Sequence, residues 1–183
     1  MSLAIPGHRA PTVGFEAPLE MLSACHGRVE QQCATLQRLL AHLPVHGPDA
    51  DARAAAVAVL RYFDTAAQHH HADEEADLFP ALLEAMAGSD PVCIRELIDA
   101  LRSDHRVLAA HWLRLRPALQ RVAAGAAQSL SAEEVDALVG AYQRHIAREE
   151  SELLPMAARL LGDEALSRIG AAMRQRRGIA AVD

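Results

Sequence analysis

A segment that begins with histidine and ends with proline occurs twice in the chain, 75 residues apart. The first copy contains His70 and Glu74, and the second contains His145 and Glu149. In each copy the glutamate follows the histidine by four residues, so the two side chains share one face of a helix. Imidazole nitrogens and carboxylate oxygens are both metal ligands. The repeat therefore predicts two halves of one metal site.

Two further histidines belong to the same pattern. His26 and His105 each interrupt a stripe of Leu, Ile and Val residues spaced three or four apart, which is the pattern of a helix facing a core. A buried imidazole or carboxylate without a partner is strongly unfavourable. A metal site shared by all these groups would remove that cost. The predicted metal ligands are His26, His70, Glu74, His105, His145 and Glu149.

The neighbouring pair His71 and Glu75 has the same spacing and is the alternative to His70 and Glu74. However, the position that matches His71 in the second copy is Ile146, and the apolar stripe runs through His70 instead. We therefore expect His71, like His69, at the boundary or outer face of the bundle. Glu75 recurs as Glu150, and this second repeated pair is expected either to hold the bundle end or to accept hydrogen bonds from ligand histidines.

The ligand types restrict the choice of metal. Four imidazoles and two carboxylates exceed the needs of one tetrahedral zinc ion, and calcium prefers oxygen ligands alone. Mixed nitrogen and oxygen ligands suit two iron ions, each held by two histidines, with Glu74 and Glu149 as bridges. Such a diiron pair leaves positions for an oxo bridge and a small external ligand, and zinc or manganese remain possible. No glutamate lies three residues before a histidine, which argues against the ferritin-like motif.

The elements that must position these residues are predicted to be helices. The chain is rich in Ala and Leu and only 3% aromatic, a composition that favours helices over strands. Residues 1–16 are rich in Pro and Gly and are expected to form an N-terminal arm. Four long amphipathic segments follow, the fourth beginning at a capping box of Ser131 and Glu134. The predicted fold is all-α, an up-and-down antiparallel four-helix bundle over residues 17–183 with a short C-terminal helix.

The bulk properties exclude several classes of function. A net charge of −6 and a pI near 5.9 disfavour nucleic-acid binding, and the short basic run of Arg174, Arg176 and Arg177 is expected to be a solvated helix end. No apolar stretch is long enough to span a membrane. The three scattered cysteines form no disulfide framework, so we expect a cytoplasmic protein, with a homodimer as one possibility.

These motifs resemble those of hemerythrin-like proteins of the HHE cation-binding class. The resemblance spans residues 18 to about 160 and rests on the two repeated segments together with His26 and His105. It implies an up-and-down four-helix bundle with a non-haem diiron centre. Oxygen-carrying relatives have an extra histidine where this chain has Ala109. The set of four histidines and two glutamates is more similar to that of bacterial proteins that repair iron centres after nitrosative or oxidative damage.

The sequence therefore predicts a protein that binds or reacts with O2 or NO, as a sensor, a carrier or a protector under stress. Phe63, Leu101, Leu108 and Tyr142 are expected to control access to the metal, and Tyr142 either hydrogen-bonds a bound ligand or packs in the core. One alternative is a redox enzyme that reduces peroxide or NO at the same centre. Another is a helical interaction module whose metal is structural.

Overall fold

The computed structural model describes residues 14–86, 92–127 and 129–180. Within these ranges every regular element is a helix, so the predicted all-α class is confirmed. Most of the predicted N-terminal arm, residues 1–13, lies outside the described residues. No helix in the described ranges is both long and apolar enough to cross a membrane.

The described elements form four long rods and one shorter helix. The rods are α1 (Pro18–His46), α2 (residues 50–85), α3 (Val92–Ala123) and α4 (residues 132–160), and the shorter helix is α5 (Asp163–Arg176). Asp49 caps α2 by accepting a hydrogen bond from the Ala52 N–H at 2.8 Å. Ser131 caps α4 in the predicted manner, with its hydroxyl accepting from the Glu134 N–H at 3.3 Å. These caps satisfy backbone donors that each helix start leaves free.

Two of the rods contain π-helical turns. In α2 these are Tyr62–Ala66 and Glu74–Leu78, and α4 has one at Glu149–Leu153. Thus a π-turn begins at the same glutamate of each repeat. Pro80 and Pro155 follow these turns at the start of the next α-helical segment. Proline has no N–H and its ring crowds the carbonyl four residues earlier, so a widened turn is favoured just before it.

The π-turns keep the repeated side chains on the inner face of each rod. Four residues of an ideal α-helix overshoot a full turn by about 40°, so three successive steps of four would drift by about 120°. The wider π-turn reduces this drift. Every fourth residue from each repeated histidine is consequently buried: His70, Glu74, Leu78 and Leu82 in α2, and His145, Glu149, Leu153 and Ala157 in α4.

The apolar core consists of two clusters with the repeated polar residues between them. One cluster includes Leu36, Phe63, Leu115 and Leu138, and the other includes Leu22, Leu82, Ile98 and Leu153. Along α1 and α3 the chain passes from the second cluster to the first, whereas along α2 and α4 it passes from the first to the second. Each rod also packs most closely against two others, in the ring order α1, α2, α3, α4. This alternation agrees with antiparallel neighbours.

Candidate metal centre

The six predicted ligands come together in the middle of the bundle, one or two from each of the four rods. Each is at most 5% exposed: His26, His70, Glu74, His105, His145 and Glu149. Their ligand atoms form two overlapping groups, within each of which all atoms lie within 4.8 Å of one another. One group contains His26 and His70 and the other contains His105 and His145, while Glu74 and Glu149 belong to both.

The two glutamates extend one carboxylate oxygen into each group. Glu149 places Oε2 3.0 Å from His26 Nε2 and Oε1 3.2 Å from His145 Nε2. Glu74 places Oε1 3.5 Å from His70 Nε2 and Oε2 3.3 Å from His105 Nε2. Each carboxylate therefore lies between an imidazole of one half and an imidazole of the other. Each carboxylate could therefore offer an oxygen to a cation on either side.

The chemistry of these buried atoms fits metal ions. All four carboxylate oxygens of Glu74 and Glu149 are buried without a hydrogen-bond partner, as are Nε2 of His26, His105 and His145. Buried polar groups are nearly always satisfied, and exceptions require an explanation. Cations that accept lone pairs from imidazole and carboxylate would satisfy all of these atoms at once.

The outer pair of repeated glutamates orients two of the imidazoles. His26 Nδ1 lies 2.6 Å from Glu150 Oε1, and His105 Nδ1 lies 2.6 Å from Glu75 Oε1. An Nδ1–H that donates to a carboxylate leaves the Nε2 lone pair directed toward the cluster. Of the two roles predicted for Glu75 and Glu150, these contacts agree with the one in which the carboxylates accept hydrogen bonds from His105 and His26.

Burial and close packing shift the pKa values of the cluster's ionisable groups in different directions. Burial and the neighbouring Glu149 carboxylate raise the pKa of Glu74 well above its ordinary value. Burial and the surrounding imidazoles lower the pKa of His70 well below its ordinary value. Burial also lowers the pKa of His26, but the carboxylates of Glu149 and Glu150 outweigh it and raise that pKa to about 9. The raised pKa values of Glu74 and His26 have one origin, since two close buried glutamates cannot both be ionised unless positive charge lies beside them, and the cluster therefore favours cations.

His71 lies at the boundary of the bundle, one of the two placements expected, but its ring also contacts the cluster. It is partly exposed, as a boundary residue would be. However, its ring stacks on that of His105 with centroids 4.1 Å apart, and its Nε2 is buried without a partner. His71, His105 and His145 form a third group of potential ligands within 4.8 Å. A helix turns about 100° between neighbours, but the long imidazole side chain reaches back to the cluster.

The basic run at the C-terminus is not the solvated helix end that the sequence predicted. Arg176 and Arg177 both donate hydrogen bonds to Asp73, whose side chain is fully buried. Arg176 also donates to Asp77 Oδ2 at 2.7 Å. Two guanidinium groups compensate the buried Asp73 carboxylate. Helix α5 is thereby tied to the residue that precedes Glu74.

The four residues expected to control access are all buried, on both sides of the centre. Phe63, Leu108 and Tyr142 belong to one core cluster and Leu101 belongs to the other. Tyr142 packs on Phe63 with ring centroids 5.4 Å apart, which agrees with the core-packing alternative for Tyr142. These side chains surround the polar centre with apolar surface.

A helical bundle with a buried His and Glu cluster of this kind defines a metal-binding bundle protein. The chain belongs to the hemerythrin family, because the hemerythrin HHE cation binding domain matches residues 17–157. A protein from Haemophilus influenzae that carries only the name "uncharacterized protein" is 32% identical over 165 residues, which cover 90% of this chain and 92% of that relative. The family confirms the predicted resemblance and identifies the protein as metal-binding.

Proposed function

We propose that the chain holds two iron ions and that this pair binds or reacts with O2 or NO, in sensing, carriage or protection under oxidative or nitrosative stress. The supporting observation is the pair of ligand groups that share Glu74 and Glu149. One tetrahedral ion would need only four ligands, whereas two groups that share two carboxylates suit two ions.

Each residue has a defined task in this proposal. His26 and His70 would hold one ion, His105 and His145 would hold the other, and Glu74 and Glu149 would contribute an oxygen to each. Two bound iron ions would supply redox-active positions for a diatomic ligand. The apolar side chains around the cluster keep bulk water away and so control which small molecules reach it.

The proposal extends to the whole domain. The alternating order of the two core clusters supports an up-and-down four-helix bundle. The hydrogen bonds from Arg176 and Arg177 to Asp73 support one domain over residues 17–183, since they join α5 to the bundle. The three cysteines are free thiols, which suits the reducing cytoplasm.

Anaerobic loading with ferrous iron tests the proposal. We expect two iron ions per chain and, after oxidation, a near-ultraviolet charge-transfer absorption that shifts when azide is added. Addition of NO to the reduced protein should also change the spectrum. One tightly held zinc ion and no iron uptake would instead support a structural metal, and turnover of peroxide or NO would support the redox-enzyme alternative.

Single-residue variants test the ligand assignment. We expect His70→Ala and His145→Ala to lose iron, because each removes a nitrogen ligand from a different half of the centre. His69→Ala is the matched control, since His69 has no polar contact with any other described residue. If the two ligand variants bind as much iron as the wild-type chain, the assignment is wrong.

A further inference from the structure

A groove on the surface between α2 and α3 reaches the edge of the metal centre. Its volume is about 320 Å³, and its lining includes the predicted ligand His105, the neighbouring Glu75 and His71. Ala72 and Ala109 also line the groove, and their short side chains leave it open. A small molecule can therefore approach His105 from this side of the bundle.

His71 lies between this groove and the buried centre. Its ring covers one face of the His105 ring, with centroids 4.1 Å apart and an interplanar angle of 14°. The residue is partly exposed, but its Nε2 is buried and has no hydrogen-bond partner among the described residues. A ring nitrogen of His71 also lies within 4.8 Å of ring nitrogens of His105 and His145. The side chain thus extends from the groove to the space beside these two imidazoles.

The buried Nε2 of His71 needs a partner, and the ring stacking excludes an ion shared with His105. The lone pair of an imidazole nitrogen lies in the plane of its ring. An ion in the plane of the His105 ring therefore lies outside the nearly parallel plane of the His71 ring. A hydrogen bond is the other way to satisfy a buried nitrogen, and a neutral imidazole can carry its proton on Nε2. The expected partner is then a molecule that enters the centre.

We propose that His71 donates a hydrogen bond from Nε2 to the small ligand of the centre, on the side of His105 and His145. This inference rests on the proposed function, because it assumes that the centre takes up a ligand such as azide or NO. Such ligands offer lone pairs and no N–H or O–H, so the protein must supply the proton. In the second copy of the repeat, the residue that matches His71 is Ile146, which packs in the apolar core. The hydrogen bond therefore belongs to one half of the centre.

Azide binding to the oxidised, iron-loaded protein tests this role. His71→Phe keeps an aromatic ring against His105 but lacks the N–H, whereas His71→Gln keeps an N–H donor of similar reach. We expect both variants to hold two iron ions. His71→Phe should bind azide at least about 10-fold more weakly, the loss expected for one hydrogen bond to a charged group, and His71→Gln should recover part of that loss. His69→Ala is the matched control and should bind azide like the wild-type chain.

Infrared spectra of the bound azide in H2O and in D2O give a second readout, which a packing role of His71 would not change. We expect the antisymmetric stretch of azide to shift on deuteration by more in the wild-type chain than in His71→Phe. Wild-type azide affinity in His71→Phe, or loss of an iron ion from that variant, would overturn the proposal and leave the proposed function standing. A wild-type chain that holds fewer than two iron ions or binds no azide would overturn the proposed function, and this inference with it.

Discussion

At the scale of single residues, the inner and outer glutamates of the repeat differ in what they touch. Glu149 contacts imidazoles of both halves of the cluster and is fully buried. Glu150, the next residue, lies with Oε1 2.6 Å from His26 Nδ1 and has a side chain that is 41% exposed. Neighbours in sequence thus have separate tasks, since one lies between the two proposed ions and the other orients one imidazole.

Substitution of these two glutamates by glutamine separates their tasks. We expect Glu149→Gln to abolish tight binding of both ions, because both ligand groups lose an anionic oxygen. Glu150→Gln should weaken binding by no more than about 10- to 100-fold, the range for outer-shell partners. Competition with a chromophoric chelator measures both affinities. Equal losses in the two variants would contradict the bridging assignment.

Helical periodicity assigns each residue to a face, and it placed His70 and Glu74 on the inner face, where the structure buries both. Periodicity describes the direction of the Cα–Cβ bond and not the reach of a long side chain. For this reason the stacking of His71 on His105 could not be predicted. The one relevant feature of the sequence is that an isoleucine matches His71 in the second copy. That feature indicated that His71 lies away from the cluster.

At the scale of elements, α5 fastens the turn that carries Glu74. Arg177 donates to both oxygens of Asp73, at 2.6 and 3.1 Å, and Arg176 donates to Asp73 and Asp77. These residues are about a hundred positions apart in the chain, so no local pattern could pair them. The π-turns that begin at Glu74 and Glu149 are easier to recognise in the sequence. In both repeats, inner-face residues are spaced four apart and a proline follows.

We expect Arg177→Met to destabilise the protein strongly, because it removes a two-point partner from the buried Asp73 carboxylate. Breaking a buried ion pair on one side costs about 3–5 kcal/mol, and Arg176 should retain part of the compensation. Arg174→Met is the matched control, since the Glu16 partner of Arg174 has a side chain that is 78% exposed. Exposed pairs contribute at most about 1 kcal/mol. Urea unfolding measures the free energy of unfolding of both variants. Similar losses would contradict a special role of Arg177 as the partner of the buried Asp73 carboxylate.

At the scale of the whole molecule, a polar layer divides the apolar core into two clusters. The sequence located this layer on all four rods, because each apolar stripe changes to His or Glu at one level. What the sequence could not supply was the register across the bundle, which places one oxygen of each glutamate in each half. That register depends on packing between the rods and on the π-turns together.

We expect the polar layer to make stability depend on metal. The carboxylate oxygens of Glu74 and Glu149 are buried without hydrogen bonds, and ions that bind only the native state would remove this cost. Binding at a free metal concentration 100 times Kd stabilises the native state by about 2.7 kcal/mol. For a chain of this length that corresponds to a rise in Tm of roughly 5–10 °C.

Calorimetry at increasing free Fe²⁺ or Zn²⁺, and after removal of metal by a chelator, should show this dependence in the wild-type chain. The double variant His70→Ala/His145→Ala should keep one Tm at all metal concentrations, because it lacks a nitrogen ligand in each half. The Tm of each protein with metal is compared with its own Tm without metal, so any effect of the substitutions themselves on Tm cancels. An equal metal-dependent rise in Tm of the double variant would place the stabilising ion elsewhere. No rise in Tm of the wild-type chain would mean that the layer between the two core clusters binds no cation.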